Sequence, residues 1–354
     1  MIGNFVKEKK KYNQYHQKFI ILIYSLIKNL GNTERVVYFN GKFVPENEAK
    51  VSIYDSALMF GDMVFEMTRS FNKKQFKLKE HIERLLMGVK IFRIPLNYSA
   101  NEIEDACYKT IEVNDHLFHD DDEHRLMIDV SRGLLGIYEN ISGLNKGSNL
   151  IIADFPLRWT VSSMGMLFDH GINAVITSQR AIPAHLLDPK IKNRSRVFYL
   201  MANIEASQFK GDNNWALLLD TDGFISEGTG DNFFIIKDNK VITPEGRNIL
   251  RGISRDYVMN ELCSELGLEV IEKNIEVFDV YGADEAFMTG TPFCMLPVTS
   301  LNNIKISDGK VGKIFTAILN KWSKNMGLDI PSQIKKWNNF QNNISKAPTP
   351  YKFK

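Results

Sequence analysis

The chain has 354 residues, 44% of them hydrophobic and 24% charged, with a formal net charge of +2. That length suffices for two ordinary domains with proper cores, and the composition excludes a disordered protein. The small, scattered positive charge excludes a nucleic-acid-binding stripe. Cys107, Cys263 and Cys294 lack metal-ligand spacing and read as reduced, buried thiols of a cytoplasmic protein.

At the amino terminus a basic stretch at 7–11 precedes an apolar run at 19–27. No small-residue cleavage site follows; Lys28, Asn29 and Asn32 do, and the run is too short to span a bilayer. Residues 1–34 therefore read as an extension whose helix packs on the body, with no membrane span. A hairpin is predicted around Asn40-Gly41, and a second at 71–78 around residues 72–74. Between them, 64–69 (VFEMTR) is an alternating strand whose polar side faces a cleft. Leu78, Ile82, Leu85, Leu86, Val89 and Phe92 have helical spacing, with Arg84 beside the apolar face as a snorkelling or a ligand-facing cation. Ser99 and Glu102 form a capping box for a helix through Ile111. The sequential, hydrophilic HDDDEH at 119–124 reads as a solvated loop and not as a metal site. Strands at 125–130 and 149–155 complete an α+β first half, and the loop at 133–146 is expected near the substrate.

The second half opens with a strand at 172–178, then LDPKIKNRSR at 187–196 and a helix with Val197, Leu200, Met201 and Ile204 on one face. Residues 217–219 form a buried strand, Asp222-Gly223 a turn, and the return strand ends at Glu227, beside Gly228 and Gly230. That glutamate is either the solvated acid of a surface hairpin or a carboxylate facing a ligand that the glycines let approach. A helix at 253–266, closed by Gly267, and strands at 268–271 and 285–289 follow. The pattern divides the chain into a small α+β domain at 35–158, an interdomain loop at 159–166, a large domain at 167–330 and a tail at 331–354, loose from 344 onward.

HIERL at 81–85, SEGTGDNFF at 226–234, LRGISRD at 250–256 and ADEAFMTGTP at 283–292, in this order, resemble the class IV (fold type IV) aminotransferases. The resemblance runs from about 36 to 322. It implies an α+β enzyme with a smaller N-terminal domain and a larger, mixed β-barrel-like C-terminal domain. It also implies pyridoxal 5′-phosphate as cofactor and a homodimer or higher homo-oligomer. Of Lys190 and Lys192, matching the helix ending at 204–206 puts Lys192 at the position that joins the cofactor and shuttles the proton. Glu227 then faces the pyridine nitrogen. The phosphate cup is implied at Arg84, at the helix start Gly252, Ile253 and Ser254, and at Gly290 and Thr291.

Two positions depart from the pattern. Arg196 falls where branched-chain members carry a tyrosine against the cofactor's ring oxygen, and Ile137 falls where D-specific members carry a carboxylate-binding arginine. FEMTR at 65–69 instead matches the branched-chain pattern, so Phe65 and Arg69 are expected substrate contacts, with Arg132 and Arg196 as further candidates that could instead make an anion pocket for an acidic substrate. Phe39, Leu135 and Met295, with Phe65, are expected to line an apolar pocket. The expected reaction moves an amino group between an apolar, branched-chain L-amino acid and a 2-oxo acid. A D-amino-acid aminotransferase, an aminodeoxychorismate lyase and a non-catalytic binder on the same fold are the alternatives.

Overall fold

The computed structural model describes residues 34–141 and 143–338, so the apolar run at 19–27 and the tail at 344–354 lie outside the described residues. β1 (Val36–Phe39) turns through Asn40 and Gly41, both at positive φ as a type I′ turn requires, into β2 (Lys42–Pro45). β3 (Met63–Met67), a short hairpin of β4 (Ser70–Phe71) and β5 (Lys74–Gln75), β6 (His124–Ser131) and β7 (Asn149–Pro156) follow. The antiparallel sheet runs β2-β1-β7-β6-β3, which leaves β3 at an edge. The Leu78–Phe92 and Ala100–Asn114 helices lay Ile82, Leu85, Val89, Ile103 and Cys107 on Leu126, Ile128, Val130, Leu150 and Ile152. The second helix starts on the Ser99–Glu102 capping box.

The second half builds β8 (Ile172–Arg180), β9 (Asn214–Leu219), β10 (Ile225–Gly228), β11 (Asn232–Lys237) and β12 (Lys240–Thr243). β13 (Val270–Glu272), β14 (Glu285–Gly290), β15 (Cys294–Leu301) and β16 (Ile304–Lys305) complete it. The order is β10-β9-β8-β15-β14-β11-β12-β13, with β16 on β15. β10 also pairs with β11 through Glu227 and Asn232, so the sheet closes on itself as a barrel. Its core is aromatic-rich, with Phe234 stacked on Phe287 at 4.7 Å. Among the described residues no helix is long and apolar enough to cross a membrane.

Three expectations need correction. First, 159–166 is not a loop. Arg158–Val161, Ser162–Met164 and Leu167–His170 are helical turns whose Val161, Met164 and Leu167 belong to the large core. Second, the chain does not leave the fold at 331. Ile330–Asn338 is a helix that buries Ile330, Ile334 and Trp337 completely, because its apolar residues recur at helical spacing. Third, HDDDEH is folded inward, with Asp122, Glu123 and His124 buried. Glu123 accepts from the backbone N–H groups of Asn72 (2.8 Å) and Lys73 (3.0 Å), and His124 bridges Asp154 and Asp115. The acids are drawn in because the β4–β5 turn and Arg158, which binds Asp121 and Asp122, need acceptors.

The two halves also exchange parts. The hairpin's Phe71 packs in the large core, while Ile191 packs in the small one. Phe65 N–H donates to Lys192 O (2.9 Å), and Arg194 N–H donates to Met63 O (2.9 Å). Residues 192–194 thereby cover the free edge of β3.

Candidate active site

The edge pairing on β3 fixes the backbone of Lys192 where two cavities meet. The first, of about 830 Å³, lies at one end of the barrel; the second, of about 870 Å³, opens against Phe65 and Met67 of β3. Lys192 lines both, with its amine 4.8 Å from the Phe65 ring centroid. Enclosure pushes that amine down to about 7. Arg196 and Arg84 act in the same direction, and Glu66 and Glu227 act against it.

Glu227 is at the seam of the barrel, 4% exposed, and lines the first cavity. It accepts three hydrogen bonds: from Tyr199 OH (2.8 Å), Asn232 Nδ2 (3.1 Å) and Leu250 N–H (3.0 Å). Burial raises its carboxyl to about 6 against the pull of Tyr199, the Leu250 amide, Lys192 and Arg196. Gly252 is required opposite it, since a Cβ there would run into Asn232 Oδ1.

The other end of this cavity suits an anion. The helix starting at Gly252 has no side-chain cap, so the N–H groups of its first turn are open to a ligand. Thr289 Oγ1 is buried beside Gly290 and Thr291 without a hydrogen-bond partner. Arg84 gives Nε and Nη2 to Glu66 (2.6 and 2.8 Å) and Nη1 to Arg251 O (2.8 Å). Two of its five N–H groups remain, one on each terminal nitrogen. Glu66 is fully buried and also meets His81 Nδ1 at 2.7 Å. Burial alone would raise its carboxyl, but Arg84 and His81 hold it well below the usual range. Burial pushes the His81 imidazole down, against Glu66.

The second cavity has Phe65, Met67, Met164, Trp215 and Phe293 on its walls, with Arg125, Arg196, Asn203 and Asp231 among its polar lining. The family model for class IV aminotransferases matches residues 63–301, more than half of the chain and all of the barrel. This chain belongs to the class IV aminotransferases. The branched-chain-amino-acid aminotransferase of Escherichia coli (strain K12) is 32% identical over 288 residues, covering 78% of this chain and 88% of the relative. A crystal structure of the Escherichia coli branched-chain amino acid aminotransferase superposes with a TM-score of 0.74 at 30% identity, covering 84% of this chain and 95% of that one. The branched-chain amino acid aminotransferase of Thermobaculum terrenum, solved in its PLP-form, has a TM-score of 0.71 at 25% identity, covering 87% and 97%.

In this aminotransferase Arg84, Glu227, Gly252, Ile253, Ser254, Gly290 and Thr291 come together in the first cavity, Phe65 lines the second, and Lys192 and Arg196 line both. Arg69 and Arg132 do not join them. β3 ends at Met67, and Arg69 is turned inward onto the Phe71 ring (3.9 Å), donating to Pro292 O and Cys294 Sγ. Arg132 binds Asp62 and the Phe92 and Arg93 carbonyls, where it stabilises the negative end of the Leu78–Phe92 helix. Phe39, Leu135 and Met295 line neither cavity, Met295 being core. The sequence reading missed Glu66, His81, Tyr199 and Asn232. Glu66 lies opposite Phe65 by strand alternation, His81 and Arg84 are three apart on one helix face, and Arg196 precedes Tyr199 by three at the start of the Val197–Ser207 helix.

Proposed function

We propose that this class IV aminotransferase binds pyridoxal 5′-phosphate in the first cavity and moves an amino group between an apolar L-amino acid, branched-chain above all, and a 2-oxo acid. The observation that carries the reading is the place of Lys192, an amine where a cavity with an acid and an anion cup meets a second cavity walled by Phe65, Met67, Met164, Trp215 and Phe293. The residues fit the group. The open N–H groups of Arg84, the uncapped Gly252–Ser254 turn and the unpartnered Thr289 hydroxyl suit a phosphate. Glu227 suits a pyridinium N–H. When bound, the cofactor supplies an electron sink for the pair left at the substrate's Cα.

The remaining work falls to the chain. Lys192 is neutral above about pH 7 and takes and returns the Cα proton. Glu227 is charged above about pH 6, so both groups have their working charge on the alkaline side of 7. Phe65, Met67, Met164, Trp215 and Phe293 seat an apolar side chain and exclude water. Exposed Leu58, Met59 and Phe60 adjoin Val197, Leu200 and Met201, joined by the Ser195 hydroxyl on Phe60 O. We assign this apolar face to self-association of the enzyme, as a homodimer or higher homo-oligomer. Three buried free thiols agree with a cytoplasmic location.

The test is single-turnover loss of the bound cofactor's visible absorbance with matched L- and D-amino acids. L-leucine or L-valine is expected to react fastest. Fastest reaction of D-alanine or D-glutamate would overturn the branched-chain assignment.

A further inference from the structure

Arg196 is less committed than Arg84 or Arg194. Arg84 is tied to Glu66, and Arg194 gives Nε and Nη2 to Asp129. Arg196 lies over the rings of Phe65 (5.4 Å) and Tyr199 (4.9 Å), which fix its plane. Among the described residues it donates one hydrogen bond, from Nη2 to Thr229 O, and pairs with no carboxylate. A guanidinium carries five N–H groups, so most of its fork stays open. It faces the junction of the two cavities beside Lys192. A planar fork held against aromatic rings, with open donors in a shared cavity, is an anion receptor suited to a carboxylate.

The facing wall offers less. Thr291, Pro292 and Phe293 line the second cavity, but Pro292 has no N–H, and its carbonyl is turned away to Arg69 Nη1 at 3.1 Å. We propose that Arg196 anchors the carboxylate shared by amino-acid and 2-oxo-acid substrates, holding the reacting carbon at Lys192 with the side chain against Phe65, Met67 and Trp215 of the second cavity. This rests on the transaminase reading given above. It has a chemical corollary. Arg196 is the largest charged influence lowering the proton affinity of Lys192, so a carboxylate seated on Arg196 makes Lys192 a stronger base as substrate arrives.

The cofactor, when bound, would bring an anionic ring oxygen of its own, and the experiment separates the two sources. Wild type, Arg196→Gln, Arg196→Lys and Arg125→Gln holoenzymes are titrated with 4-methylpentanoate and with its neutral amide, which differ in charge but not in side chain. Arg196→Gln is expected to weaken carboxylate binding about a hundredfold, as for a lost charge-assisted pair. The amide is expected to bind as before, KM for leucine and for its 2-oxo acid to rise together, and kcat to fall less. Arg196→Lys, which keeps the charge without the fork, is expected to fall between and covers a failure of the glutamine variant to fold. Three results would overturn the proposal: equal loss for both probes, no loss for either, or carboxylate loss on Arg125→Gln alone. A shifted cofactor absorbance in Arg196→Gln with unchanged carboxylate affinity would give the arginine to the ring oxygen and overturn it too. A wild type without bound cofactor or transamination would instead sink the transaminase reading from which the proposal starts.

Discussion

Glu227→Gln separates charge from shape at the barrel seam. Of the three donors on this carboxylate, Asn232 Nδ2 and Leu250 N–H can only donate, whereas the Tyr199 hydroxyl can reverse and accept. A glutamine therefore keeps its oxygen toward Asn232 and Leu250 and turns its NH₂ to Tyr199. All three contacts survive, and the change in fold stability is about 1 kcal/mol or less. Cofactor retention should follow wild type. What disappears is the negative charge, and losing it should slow the half-reaction with L-leucine by about a hundredfold or more, roughly 2.7 kcal/mol of barrier. The assay is stopped-flow loss of cofactor absorbance at pH 8, beside a thermal melt. Burial raises the wild-type carboxyl to about 6, so it loses its charge as pH falls through that value. The gap between wild type and variant should accordingly narrow below pH 6. A near-normal rate at pH 8 in a folded, cofactor-loaded variant would remove Glu227 from the mechanism.

Lys192→Ala should abolish both cofactor absorbance and transamination, while Lys190→Ala, whose amine is held by Asp188 (2.7 Å) and Arg247 O (3.1 Å) off both cavities, should leave most of each. Borohydride labelling of Lys190 in place of Lys192 would contradict this. Because only the neutral amine attacks an aldehyde, capture of added pyridoxal phosphate by the apoprotein should rise between pH 6 and 8 about a midpoint near 7 and then level off. A rate still climbing through pH 9 would mean an ordinary lysine. Trp337→Ala should cost about 3–5 kcal/mol in urea unfolding, since Trp337 is fully buried; an unchanged midpoint would detach the Ile330–Asn338 helix from the core.

The residues that line the first cavity could be grouped from the sequence because they occur in short motifs of contiguous residues: Gly252-Ile253-Ser254 at a helix start, Glu227 beside its glycines, Lys192 before a helix. What escaped depends on contacts distant in sequence. Arg69 falls in a run that reads as a strand alternating toward the cleft, yet β3 ends two residues before it and the side chain donates to Pro292 O. Tyr199 reads as one aromatic on a helix face until Glu227 arrives from 28 residues away. β15 was invisible because Pro297 interrupts it and Cys294 starts it at positive φ, neither of which strand propensity anticipates. Asp122, Glu123 and His124 look solvated because charge density is read locally, whereas their acceptors are needed by a hairpin some fifty residues back.

The pairing of residues 192–194 with β3 bears on how the polypeptide is made. Everything up to β7 leaves the ribosome before residue 191 does, so the main-chain partner of β3 seen here is made after the rest of the small sheet. The segment that carries Lys192 is also the one that pairs with this edge, and it does so with main-chain atoms. Exchanging the Lys192 side chain leaves that pairing intact, so loss of chemistry need not bring loss of solubility. Adding or removing one residue between 188 and 194 shifts the pairing and breaks both at once. The length of that stretch, more than its composition, ties a finished reaction centre to a finished surface.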